Sequence, residues 1–173
     1  MNKKAIDFII QISEDVVKVC SDTKLFPSLM VAQACLESNY GQSKLSVLHH
    51  NFFGIKANAS WKGEVVYYNT TEYINKTKIT IKQSFRKYLT REAGFVDRVK
   101  FLQINPRYAK NGVFVSNNPQ EQAQAFARAG YATDPLYATK LINIIYQYNL
   151  IKYDLLCKTP SNISTTTSTT SRK

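Results

Sequence analysis

Cysteine, histidine, glycine and acidic residues are all scarce in this chain, and each shortage removes a class of protein. Three cysteines (Cys20, Cys35 and Cys157) cannot pair completely, so the chain is not a disulfide-stapled secreted scaffold, although a Cys20–Cys35 bridge stays open. The two histidines are adjacent, His49-His50, with no third or fourth ligand at useful spacing, so neither a metal nor a cofactor is expected. No apolar run approaches the roughly 18–20 residues that span a bilayer, which argues against a transmembrane helix. Asp and Glu number only 12 against 23 Lys and Arg, leaving a formal charge of +11. Such a field favours a polyanion, whether nucleic acid, an anionic membrane surface or an acidic cell-wall polymer, and charge alone does not choose.

What is present is an ordinary globular balance, with 44% hydrophobic and 20% charged residues in 173, enough for one domain with a real core. The start, Met1 to Ile10, is basic and then apolar. Asp7, Glu14 and Asp15 interrupt it, so residues 5–20 read as an amphipathic helix and not a signal peptide. Export is then expected through a removed segment, another route or cell lysis. From Lys158 onward the chain is Ser/Thr-rich and of low complexity, and is expected to be a disordered tail or linker.

Around one stretch, Val31 to Gly41, the rest is organised. Leu29, Ala32, Cys35 and Leu36 recur at helical spacing, and Gly41 suits a left-handed cap, which puts Glu37 in or near the last turn. Unpaired carbonyls at a helix C-terminus and apolar neighbours both make a carboxyl harder to ionise. A carboxyl that keeps its proton near neutral pH is suited to general acid catalysis, whereas a solvated helix-end glutamate is the plain alternative.

After a short turn capped by Ser43, and an aromatic loop at residues 49–54, Glu64 to Tyr88 reads as a β-hairpin turning at Asn75-Lys76. On its second arm Ile79, Ile81 and Phe85 alternate with Lys78, Lys82 and Arg86, the pattern of a strand with one wet face. Helices are expected from Glu92 to Ile104, from Pro119 to Ala129, and from Pro135 to about Tyr148 with Asp134 as N-cap. The fold class is therefore α+β and mostly helical, a helical body with a small β-hairpin lobe (about 62–88) beside it. A cleft between them would hold Glu37 on one side and Glu72 on the other, and paired carboxylates across a groove are the usual equipment for cleaving a glycosidic bond. The alternative for Glu72 is an exposed strand glutamate paired with Lys78 or Lys82.

Several motifs then fall in order. Ala32-Gln33-Ala34-Cys35-Leu36-Glu37-Ser38-Asn39-Tyr40-Gly41 resembles the AQAxLESxxG signature of family 73 glycoside hydrolases, the flagellar- and autolysin-type peptidoglycan β-N-acetylglucosaminidases. Asn51-Phe52-Phe53-Gly54-Ile55-Lys56 is similar to that family's N-L-F-G-I-K, with Phe in place of Leu. Trp61-Lys62-Gly63, Thr71-Glu72, Phe85 to Tyr88, Asn105 to Tyr108, and Ala129 to Ala138 follow.

The resemblance implies a lysozyme-like catalytic domain over residues 1–157, acting as a monomer on the glycan strand of bacterial peptidoglycan, at the cell wall, without obligate nucleic acid. It implies Glu37 as general acid, Glu72 as the β-lobe carboxylate and Tyr131 as the active-site tyrosine. The 2-acetamido oxygen of the substrate could itself attack C1, in which case Tyr131 or Glu72 would stabilise the intermediate. Tyr40, Phe53 and Trp61 are candidates for stacking on sugar faces, and Phe52 is expected to point inward. Asp134 is a substrate-side candidate as well as the expected cap.

Three rivals stand beside this reading. A cysteine peptidase built on Cys35 with His49 or His50 is disfavoured, because Cys35 lies late in its helix among apolar residues. A nucleic-acid module would rest on the net charge and the basic, aromatic hairpin, a combination that also fits a groove for an anionic glycan. A lytic transglycosylase or muramidase would act on the same glycan. The polar tail fits a phage lysin or a domain of a longer chain.

Overall fold

Helix α1 (Lys3–Cys20) starts where the Asn2 side chain accepts the Lys4 amide at 3.1 Å, and it buries Ala5, Phe8, Ile9, Ile12, Val16 and Cys20 on one face. The computed structural model describes residues 2–74 and 77–158, without the side chains at 72–74, 78 and 158. The expected turn at Asn75-Lys76 and the polar tail lie outside those residues. Among the described residues the order is α1, α2 (Pro27–Glu37), α3 (Lys44–His49), β1 (Val65–Ile74), β2 (Thr77–Arg86), α4 (Arg91–Ile104), α5 (Pro106–Lys110), α6 (Pro119–Arg128), α7 (Tyr137–Gln147) and α8 (Ile151–Lys158). Among the described residues the fold is mostly helical, with one two-stranded antiparallel sheet.

Helix α2 is the axis of the body. Every residue from Pro27 to Cys35 is buried, so the helix is enclosed on all sides and not merely on one face. It has no N-cap side chain of its own. Asp154 of α8 supplies one from across the fold, accepting the Ser28 amide and the Ser28 hydroxyl at 2.7 Å each. The C-terminus is closed by Ser38, whose hydroxyl accepts the Gly41 amide at 2.7 Å, while Asn39, Tyr40 and Gly41 all take positive φ. Gly41 does more than permit its φ of +74°: a Cβ there would lie 2.3 Å from the Phe8 ring.

The hairpin joins the body through Asn51. Its amide nitrogen donates to the carbonyls of Ile55 (3.0 Å) and Arg86 (2.8 Å), and its oxygen accepts the Ile55 amide (2.9 Å). Phe52 points inward, as expected, and stacks on Phe95 at 5.1 Å. Toward the outer half Ile79 and Ile81 are only half-buried, and the fully buried residues of the hairpin gather at its base.

Three expectations need correction. Arg86, placed on the wet face by alternation, is 6% exposed, because Asp97 of α4 receives it at 2.8 and 3.0 Å and Tyr88 completes the pair at 2.6 Å. Helix α7 begins at Tyr137, not Pro135. Pro135 has no amide hydrogen to offer, so Asp134 accepts the Leu136 amide at 2.9 Å ahead of the helix and is not its N-cap. Helix α8 (Ile151–Lys158) falls where the sequence pattern marks no element. All three cysteines are free, so the Cys20–Cys35 bridge does not form.

Candidate active site

Glu37 is the last residue of α2 and stands exposed at the surface of the body. One of its oxygens is nonetheless held: the Tyr137 hydroxyl donates to Oε1 at 3.0 Å. Loss of hydration is the largest influence on this carboxyl and raises its pKa. The Tyr137 bond and the Arg98 charge pull against that rise without cancelling it. An acid with one oxygen anchored and the other side open to solvent can meet a ligand, and a ligand that displaces water would raise the pKa further.

Behind Glu37 lies a buried polar chain. Gln33, one turn earlier on α2, donates from Nε2 to the Tyr137 oxygen at 3.1 Å, and Arg98 of α4 donates from Nη2 to Gln33 Oε1 at 3.2 Å. Gln33, Tyr137 and Arg98 are 1%, 3% and 1% exposed, so the chain is sealed from water. Arg98 is enclosed by the rings of Phe53 (4.8 Å), Tyr131 (4.6 Å), Phe126 (5.7 Å) and Phe101 (5.9 Å). These aromatic faces keep a cation in the core with no carboxylate bonded to it among the described residues.

Tyr131 is half-buried on the loop after α6, its ring 5.2 Å from that of Tyr137. Burial pushes its phenol up to about 12, so it remains a hydrogen-bond donor at neutral pH. It lines a cavity of about 590 Å³ with Phe53, Ile55, Lys56 and Arg86 from the hairpin side and Arg98, Phe101 and Arg107 from the body. The cavity is thus a cleft between body and hairpin base, basic and partly aromatic. Glu37 is joined to it through the neighbouring tyrosines and does not itself line it.

The remaining candidates are spread out. Phe53 lines this cavity although it is 7% exposed and packs edge-on against Phe95. Trp61 is half-buried over the Arg86 guanidinium (4.6 Å), which places it near the cleft rim, with its indole N–H given to the Glu64 carbonyl at 3.0 Å. Tyr40 lies elsewhere: it packs on Tyr148 at 5.9 Å and lines a different groove with Lys4, Asp7 and Phe8. Asp134 is paired with Lys140 at 2.5 Å. Glu72 pairs with Ile79 in the outer half of the hairpin, and its side chain falls outside the described residues. Burial pushes the Cys35 thiol up to about 12, which leaves it inert as a nucleophile. Among the described residues no group of three His, Cys, Asp or Glu side chains could hold a metal ion.

The sequence reading gives Tyr137, Gln33 and Arg98 no role, yet the structure links them to Glu37. The available signal was polarity at positions whose helical neighbours are apolar: Gln33 between Ala32 and Ala34, and Arg98 among Phe95, Val99 and Leu102.

A helical body, a hairpin lobe and an acid beside the cleft between them define a lysozyme-like glycoside hydrolase domain. The comparisons name the family: residues 13–150 match the glucosaminidase family, described as mannosyl-glycoprotein endo-beta-N-acetylglucosaminidase, and the chain belongs to it. It is similar to the peptidoglycan hydrolase FlgJ of Escherichia coli K12, 42% identical over 137 residues, covering 77% of this chain and 43% of that protein. The chain thus spans under half the length of the curated relatives it matches. Among solved structures, the catalytic domain of the autolysin Auto from Listeria monocytogenes matches with a TM-score of 0.80 at 34% identity, covering 89% of each chain. The glycoside hydrolase domain of Salmonella typhimurium FlgJ, truncated at its C-terminus, matches with a TM-score of 0.70 at 38% identity, covering 84% of this chain and 97% of that one. Among the described residues no helix is long and apolar enough to cross a membrane.

Proposed function

We propose that this chain hydrolyses the glycan strand of bacterial peptidoglycan at the β-1,4 bond following N-acetylglucosamine, with Glu37 as the general acid. The observation that carries this reading is the Glu37 carboxyl, anchored on one oxygen by Tyr137, open on the other side and biased toward its protonated form. Membership of the glucosaminidase family and likeness to the peptidoglycan hydrolase FlgJ and the autolysin Auto support the substrate class.

In the proposed step Glu37 gives its proton to the bridging oxygen as the bond to C1 breaks. Positive charge develops on the sugar, and the 2-acetamido oxygen attacks C1 to form an oxazolinium-like intermediate, which water then opens. Water opening returns a proton to Glu37, and the anomeric carbon is left as a reducing end. In this scheme Tyr131, which lines the cleft as a neutral phenol, donates to the sugar or its acetamido group, and Glu72 is the second carboxylate. Phe53 and Trp61 offer ring surface and Arg107 and Lys56 offer charge for a polymer rich in carboxylates. Tyr40 and Asp134 are given no role in the step, since each is engaged with a residue outside the cleft.

The test is digestion of purified peptidoglycan with mass analysis of the product ends, wild type beside Glu37→Gln. Reducing N-acetylglucosamine ends, absent with the variant, are the expected result. 1,6-Anhydro-muramic ends would mean a lytic transglycosylase, and reducing muramic ends a muramidase.

A further inference from the structure

We infer that Arg98 is a positioning residue that locks Gln33 as a donor toward Tyr137, so that the Gln33 amide does not accept the tyrosine hydrogen and the Glu37 proton is left on Oε2, the oxygen away from Tyr137. This rests on the acid role proposed for Glu37, but its test does not depend on activity.

Direction follows from the donor inventory. A guanidinium has hydrogens to give and no lone pair to accept with, so whatever Arg98 bonds must be an acceptor. Gln33 therefore turns its oxygen to Arg98 and its NH₂ to Tyr137, at 3.2 and 3.1 Å. The Tyr137 oxygen is accepting from Gln33, so its single hydrogen must go elsewhere. Among the described residues its acceptor is Glu37 Oε1, at 3.0 Å. Each link leaves the next only one choice. An acid that accepts a hydrogen bond on Oε1 carries its own proton on Oε2.

The groups facing this carboxyl are Tyr137 from α7, Arg98 from α4 and Tyr131 from the loop after α6. Both tyrosines stay neutral phenols because burial raises them, so neither competes for the proton. The Arg98 field and the Tyr137 bond both favour the carboxylate, against the loss of hydration that favours the acid. The relay thus orients the proton while restraining the rise in its pKa. A cation sealed among aromatic rings, far more costly to bury than an apolar side chain, has a use here that packing would not supply.

Two substitutions at one position separate direction from packing. In Gln33→Glu the carboxylate accepts from Arg98 on one oxygen and from Tyr137 on the other, so the tyrosine hydrogen is drawn away from Glu37. In Gln33→Met the relay is cut, but Tyr137 keeps Glu37 as its acceptor. Isotope-edited infrared spectra of ¹³C-glutamate-labelled protein, at a pH where Glu37 is protonated and with Glu37→Gln as the blank, read the carbonyl stretch of that acid. Wild type and Gln33→Met should share one low frequency, and Gln33→Glu should rise to the value of Tyr137→Phe. On peptidoglycan, Gln33→Glu should lose roughly tenfold in kcat with KM unchanged. A wild-type stretch in Gln33→Glu, or the Tyr137→Phe value in Gln33→Met, would overturn the inference whatever the enzyme cleaves. Should either Gln33 variant fail to fold, Arg98→Met frees the amide to turn and should move the stretch partway upward; an unmoved stretch there overturns it equally.

Discussion

The Tyr137 hydroxyl meets Glu37 Oε1 at 3.0 Å although 100 positions separate them in the chain. Helix α2 ends at Glu37 and helix α7 begins at Tyr137, so the contact joins the end of one helix to the start of another. The carboxyl sits where unpaired carbonyls at the end of α2 oppose its ionisation, and Tyr137 offers it a hydrogen in return.

Glu37→Gln removes the proposed proton and little else. Lysis of peptidoglycan measured by turbidity should fall by at least about 100-fold. Because folding raises the Glu37 pKa, stability from this group is fully present below its unfolded pKa and is lost as pH rises through the folded one. The variant should therefore melt at the same temperature as wild type or slightly higher at neutral pH, and the difference should vanish in acid. A melting temperature well below wild type at neutral pH would point to a structural role.

Tyr137→Phe deletes a bond that favours the carboxylate, so the Glu37 pKa should climb. A general acid works while protonated, and its activity is lost as pH rises through its pKa. The alkaline limb of the kcat/KM profile should accordingly move to higher pH, while kcat drops roughly tenfold, equivalent to about 1.4 kcal/mol, as the carboxyl loses its anchor.

Asp97→Ala should be the most damaging change at the base of the hairpin. It leaves the Arg86 guanidinium buried without its counter-charge and strips Tyr88 of its acceptor. Urea unfolding should show a loss of about 3–5 kcal/mol. Arg86→Met with Asp97→Leu should recover much of it, since the apolar pair needs no hydration.

Gly41→Ala forces a methyl group into the Phe8 ring at a φ that L residues avoid. Stability by denaturant unfolding should fall by about 1–3 kcal/mol. Lytic activity should fall further than stability accounts for, because the displaced turn follows Glu37 directly.

Asp154→Ala uncaps α2 from a distance. The Ser28 amide and hydroxyl lose their acceptor and the helix start loses a favourable charge. A cost of about 1–2 kcal/mol in thermal or urea unfolding is expected.

The sequence by itself determined the local elements and the position of the candidate acid. Ser43, Thr90 and Asn118 cap the helices they precede through side-chain bonds that depend only on nearby residues. Glu37 falls at the end of α2 because the stretch after it turns left-handed at Asn39, Tyr40 and Gly41. The hairpin was legible for the same reason, since β-branched and aromatic alternation is a local property.

Only the tertiary structure decided what surrounds those elements. Arg86 reads as solvent-facing by alternation, yet Asp97 on another helix draws it inside. Helix α8 carries no clear apolar stripe, yet it docks Asp154 on the start of α2 and buries Tyr153 in the core. Gln33 and Arg98 read as polar residues on apolar helices, and their partners lie 104 and 65 positions away. Hydrogen-bond direction is a property of the whole chain of partners, so no stretch of sequence holds it, and it emerges only when three helices close on one carboxyl.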